Sequence, residues 1–205
     1  MREILPGLFH FSAIHERIKL PVSSYYAPAL SLVIDPMLPA EGIDWFREHG
    51  PPANILLTNR HHYRHSGDFV DAFGCTVGCH RAGLHEFSAD QPVEPFDFGD
   101  EPVPGVVALE VDSICPEETA LELRPKRAIA LADGLVRWPD DDGPLSFVPD
   151  ELIGDHPDAV RRGLLEAFTR LLELDFDHLL LAHGGPVEDG KAALRKFVET
   201  QSTSG

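Results

Sequence analysis

Three short apolar runs in this chain, at 55–58, 128–132 and 178–182, each break off directly into polar residues: Asn59 to His65, Asp133-Gly134 and His183-Gly184. Runs of this length, rich in Leu, Ile and Ala and bounded by turn residues, read as strands buried on both faces. In a layered α/β protein the loops that leave such strands are where functional groups assemble. The first of these loops is also the start of a histidine cluster. Five of the eleven histidines fall between His61 and His85.

The rest of the chain reads as further strands mixed with helices. Strands are expected at 7–12, 29–34, 76–79, 93–98, 106–111 and 119–123. Helices are expected at 40–49, stopped by Gly50-Pro51-Pro52, at 68–73, closed by Gly74, and as a turn at 82–87. Pro157 suits the first turn of a helix over 157–174, whose Val160, Leu164, Leu165, Phe168, Leu171 and Leu172 form one apolar face. A last helix follows at 188–200, and the acidic stretch 139–150 reads as an exposed loop. With no long polar linker and no internal repeat, the 205 residues are expected to form one α/β domain, able to bury roughly 70% of the surface of the unfolded chain.

Charge narrows the partners. The chain has 17 Lys and Arg against 34 Asp and Glu, a formal charge of −17, and no basic run. Such a surface repels phosphate backbones and anionic lipids, so a small molecule is the expected partner, not nucleic acid or a membrane. The start Met1-Arg2-Glu3-Ile4 lacks the pattern of a secretory signal and no apolar run approaches eighteen residues, which leads to the expectation of a soluble, cytoplasmic chain. Cys75, Cys79 and Cys115 are expected to be free thiols, with Cys75, Val77 and Cys79 on one strand face. No GxGxxG, P-loop or GxSxG motif is present.

The order strand, histidine-rich loop, helix, then strand with Asp-Gly, then strand with His-Gly resembles the metallo-β-lactamase superfamily, whose signature is THxHxDHxGG followed by a PGH segment, a bridging aspartate and a final histidine. Thr58 matches its threonine, His61 its second histidine and Gly67 its last glycine. Asp133 matches the bridging aspartate and His183 the final histidine, and Asp35-Pro36 resembles the end of the family's early strand. The resemblance implies a four-layer αββα sandwich. It also carries departures: Asn59, Tyr63 and Arg64 stand where the family has His, Asp and His, and Glu118 falls on the PGH histidine.

These departures dismantle one of the family's two metal sites, because an arginine stays protonated and places a fixed cation where a dication belongs. The other retains His61, Asp133 and Glu118, with His183 near, a set able to hold one zinc, iron or manganese ion. Two functions follow from the resemblance. In one, the protein is a single-metal hydrolase of an ester, thioester or lactone, in which Asp133 or His183 assists proton transfer and Arg64 holds an anionic substrate. In the other it is a metal-free pseudoenzyme or ligand-binding protein whose site has collapsed into a direct Arg64–Asp133 pair. The residues alone leave plainer readings open: Asp133 before glycine is a common turn residue, and His183 at a strand end could bond a neighbouring carbonyl.

Overall fold

The computed structural model describes residues 1–137 and 142–203. Seven strands form the first sheet in chain order: β1 (Arg2–Leu5), β2 (Leu8–Ile14), β3 (Pro21–Ala27), β4 (Leu32–Ile34), β5 (Asn54–Leu56), β6 (Thr76–His80) and β7 (Glu94–Phe96). Pairing is antiparallel as far as β4 and parallel from there to β7. A second sheet takes β8 (Val106–Glu110), β9 (Thr119–Leu123), β10 (Ala128–Leu131) and β13 (His178–Leu181), in the order β13-β10-β9-β8. A small hairpin joins β11 (Val136–Arg137) to β12 (Leu145–Ser146).

The alternation of side chains along each strand builds three apolar layers. On β10, Ala128 and Ala130 face the first sheet and meet Leu8, Tyr25, Leu32, Ile34 and Leu56. Ile129 and Leu131 face the other way, onto Leu164, Phe168 and Leu171 of α3 (Pro157–Leu171) and Leu194 and Phe197 of α4 (Gly190–Thr203). The outer face of the first sheet presents Val33, Ile55, Leu57 and Val77 to Phe46 of α1 (Asp44–His49) and Phe69 of α2 (Ser66–Phe73). Two sheets face to face, each covered by helices, make four αββα layers, and strands buried on both sides explain the unbroken apolar runs of the sequence. Among the described residues no helix is long and apolar enough to cross a membrane.

The boundaries differ from the sequence reading where a turn competes with a regular element. The run 29–34 enters its strand only at Leu32, because Pro28–Leu30 form a 3-10 turn that ends on Ser31 at φ +47°. The helix expected from residue 40 begins at Asp44, after Gly42 at φ +78°. β1 and β3 were not among the expected strands. Of the loop expected at 139–150, residues 139–141 lie outside the described residues, and the rest is no open loop: Leu145 and Ser146 pair with β11, and Val148 is buried against Val136 and Ile153. The three cysteines are free and buried, with Cys75, Val77 and Cys79 in one cluster.

Candidate metal centre

Asp133 and His183 meet because β10 and β13 are adjacent and parallel, with Leu131 opposite Leu181. Each residue stands two positions beyond that pair, so two strand ends deliver their side chains to one place. The Oδ1 of Asp133 lies 3.0 Å from the Nε2 of His183.

The first sheet supplies the third group. Asp35, at φ +49° after β4, is buried, and its Oδ1 accepts the Thr58 N–H at 2.9 Å. Its Oδ2 accepts the Thr58 hydroxyl at 2.6 Å. Asn59 is extended and accepts the His61 N–H on its side chain, an Asx turn that opens the 3-10 turn Arg60–Tyr63. That turn points His61 out to solvent and His62 inward. His62 Nδ1 is 3.0 Å from Asp35 Oδ2, and its Nε2 is 3.2 Å from Asp133 Oδ1. The amide of Asn59 donates to Asp133 Oδ2 at 2.9 Å.

His62, Asp133 and His183 thus offer three ligand atoms that all lie within 4.8 Å of one another. Burial works against charge on His62, yet Asp35 and Asp133 on its two sides prevail and hold its pKa above the ordinary value. Burial likewise disfavours the Asp133 carboxylate, but His62 and His183 outweigh it and keep the group ionised, well below the usual range. Asp35 is held low in the same way, against its burial, by His62, Arg64 and Thr58.

The other residues expected at the site stand apart from these three. The imidazole facing Asp133 belongs to His62, one position after His61, because the turn at Asn59 shifts the inward position. Glu118 is buried with both oxygens committed to backbone N–H groups, Oε2 to Ile114 at 3.1 Å and Oε1 to Gly134 at 2.8 Å. It holds the Asp133-Gly134 turn, and burial pushes its pKa up to about 7. Arg64 and Asp133 form no ion pair. The Nη1 of Arg64 donates to the carbonyls of Ser23 and Asp35 at 2.9 and 3.0 Å, which hold the residue at φ +44°, uncommon for a side chain of its size. The sequence signal for His62 and Asp35 was present in Asp35-Pro36 and in an asparagine able to start an Asx turn.

The donor set fits one divalent ion. The Nδ1–H of His62 directed at a buried carboxylate leaves the Nε2 lone pair facing inward, the usual support of a metal-binding histidine. The buried Asp133 Oδ1 has the two imidazole nitrogens as its only near partners. An ion about 2.0–2.2 Å from each of two donors holds them roughly 3 Å apart, as Oδ1 stands from both imidazole nitrogens.

No family model and no curated protein matches the sequence. Solved structures match over most of its length. A metallo-beta-lactamase family protein from Thermus thermophilus is 18% identical, with 98% of this chain and 81% of that one covered and a TM-score of 0.64. The DIM-1 metallo-beta-lactamase is 10% identical, with 99% and 96% covered and a TM-score of 0.73. A protein solved in a di-iron-bound form is 20% identical, with 90% and 91% covered and a TM-score of 0.60. The four layers agree with these likenesses, and the chain has the metallo-beta-lactamase fold.

Proposed function

We propose that the protein is a single-metal hydrolase, acting on an ester, thioester or lactone that carries an anionic group. The observation that carries the reading is the convergence of His62 Nε2, Asp133 Oδ1 and His183 Nε2 within 4.8 Å, with His62 anchored on buried Asp35. A divalent ion held by these three would lower the pKa of a bound water towards neutrality and polarise a carbonyl. Asp35 keeps the His62 proton on Nδ1, so the ring turns its lone pair to the site. Asn59 holds Asp133 through Oδ2 and leaves Oδ1 to the two imidazoles. Among the described residues the Nε and Nη2 of Arg64 have no protein acceptor, and they are the donors available to a substrate carboxylate or phosphate.

Elemental analysis of protein made without a histidine tag, before and after soaking with zinc, manganese or iron and desalting, tests this. One ion per chain, lost in His62→Ala and kept in His61→Ala, supports the reading, as does hydrolysis of anionic esters in preference to neutral ones. No ion under any condition overturns it. One observation favours a second reading in that event: Asp35 and Asp133 on its two sides raise the pKa of His62 against its burial, which favours a proton on Nε2 where an ion would otherwise bind. The protein would then be a metal-free binder of anions.

A further inference from the structure

Metal ligands here come from two different sheets, so their spacing depends on what joins the sheets. Beside the Asn59–Asp133 bond, one residue ties the first sheet to the segment that carries His183. Ser23 of β3 is buried, and its N–H donates to the Ala182 carbonyl at 2.9 Å. Its hydroxyl donates to the Gly184 carbonyl at 2.7 Å. The carbonyls of the two residues flanking His183 are therefore held by the same serine. The Ser23 carbonyl accepts Arg64 Nη1, so the residue also fixes the guanidinium on the opposite flank.

The hydroxyl has one proton, and a carbonyl can only accept, so that proton goes to Gly184. His10 Nε2, 2.9 Å from Ser23 Oγ, must then be the donor. His10 is buried in β2 and locks the hydroxyl rotor in the orientation that reaches Gly184.

We propose that Ser23, with its hydroxyl oriented by His10, is a positioning residue that sets His183 and Arg64 relative to His62. The inference rests on the hydrolase reading for its purpose, but its geometry does not need a bound ion. The expected signature is a change confined to one ligand: loss of the hydroxyl loosens His183 and leaves His62, which is anchored on Asp35, in place.

The test compares Ser23→Ala with Ser23→Thr, which keeps the hydroxyl, and His10→Leu with His10→Gln, which keeps an N–H donor. In metal-free protein at one fixed pH, the imidazole ¹H–¹⁵N signals of His183 are expected to move in Ser23→Ala and His10→Leu, while those of His62 stay. Zinc affinity measured against a chelator is expected to fall about tenfold in the same two variants and to recover to within about threefold in Ser23→Thr and His10→Gln. Unchanged His183 signals in both Ser23→Ala and His10→Leu, or equal losses in Ser23→Ala and Ser23→Thr, overturn the proposal. If the wild-type protein binds no zinc, the hydrolase reading fails while the imidazole signals still decide this one. The His10 pair carries the comparison alone if Ser23→Ala does not fold.

Discussion

Asp35 Oδ2 and His62 Nδ1 stand 3.0 Å apart, both buried, and neither belongs to the strand that carries the other. Asp35 follows β4 and His62 lies beyond β5, and the same aspartate also binds the Thr58 N–H and hydroxyl. One buried carboxylate thus orients the ring of the candidate ligand and the chain segment leading to it.

Asp35→Asn keeps the shape and removes the charge. An amide can still accept from Thr58, but its NH₂ then faces the His62 nitrogen, and the imidazole loses the partner that fixes its tautomer. Zinc affinity is expected to fall about 10- to 100-fold. Stability is expected to drop by about 3 kcal/mol, because Arg64 and a buried imidazole lose their compensating charge. Chelator competition and urea denaturation measure the two effects. An affinity unchanged within about twofold removes Asp35 from the support of the site.

The second prediction concerns pH. Burial lowers the pKa of His10 to about 4 from an ordinary 6.5, with the charge of Arg2 adding to the effect. Between these values the unfolded chain binds a proton that the folded chain refuses, so this contribution to stability is fully present above pH 6.5 and is lost as pH falls towards 4. The full swing is on the order of 3 kcal/mol by the usual conversion of about 1.4 kcal/mol per pKa unit. Urea denaturation at pH 7 and pH 4.5 should show wild-type protein losing more stability than His10→Gln, which has nothing to protonate. Parallel losses in the two proteins would show that His10 is not among the groups that drive acid unfolding.

The sandwich was legible because strands buried on both faces must be apolar at every position. β10 meets that condition throughout and β13 from Leu179 onward, and the parallel register that places Asp133 beside His183 follows from their pairing. β3 was not legible. Its Ser23, Ser24, Tyr25 and Tyr26 look half polar, yet all are buried, because their hydroxyls reach the carbonyls of Gly184, Asp35, Leu181 and Gly50. Those partners lie far along the chain, and nothing local announces them. The site divides the same way. Strand ends pointed to Asp133 and His183, whereas the choice between His61 and His62 turned on one hydrogen bond inside an Asx turn. Glu118 aligned with a ligand position but satisfies two backbone N–H groups instead, a role only the folded loops reveal.

Gly184 offers a sharper test of how tightly the His183 loop is held. Its φ of +103° lies where a side chain is strained, and a Cβ there would sit 2.6 Å from Arg137 Cβ and 2.7 Å from the Arg137 carbonyl oxygen. Neither contact is the far end of a flexible side chain, so the backbone must move. The Arg137 N–H donates to the His183 carbonyl at 3.0 Å, and the Gly184 carbonyl accepts the Ser23 hydroxyl. Any shift therefore pulls on both bonds that border His183. Gly184→Ala is expected to cost about 2–4 kcal/mol in stability, more than the ~1 kcal/mol that ordinarily separates the two residues. Zinc affinity is expected to fall with it, at least as far as in Ser23→Ala. Urea denaturation and chelator competition on the same preparation check both, and a variant as stable as wild type with full affinity would show that the loop adapts freely and that His183 is not rigidly placed.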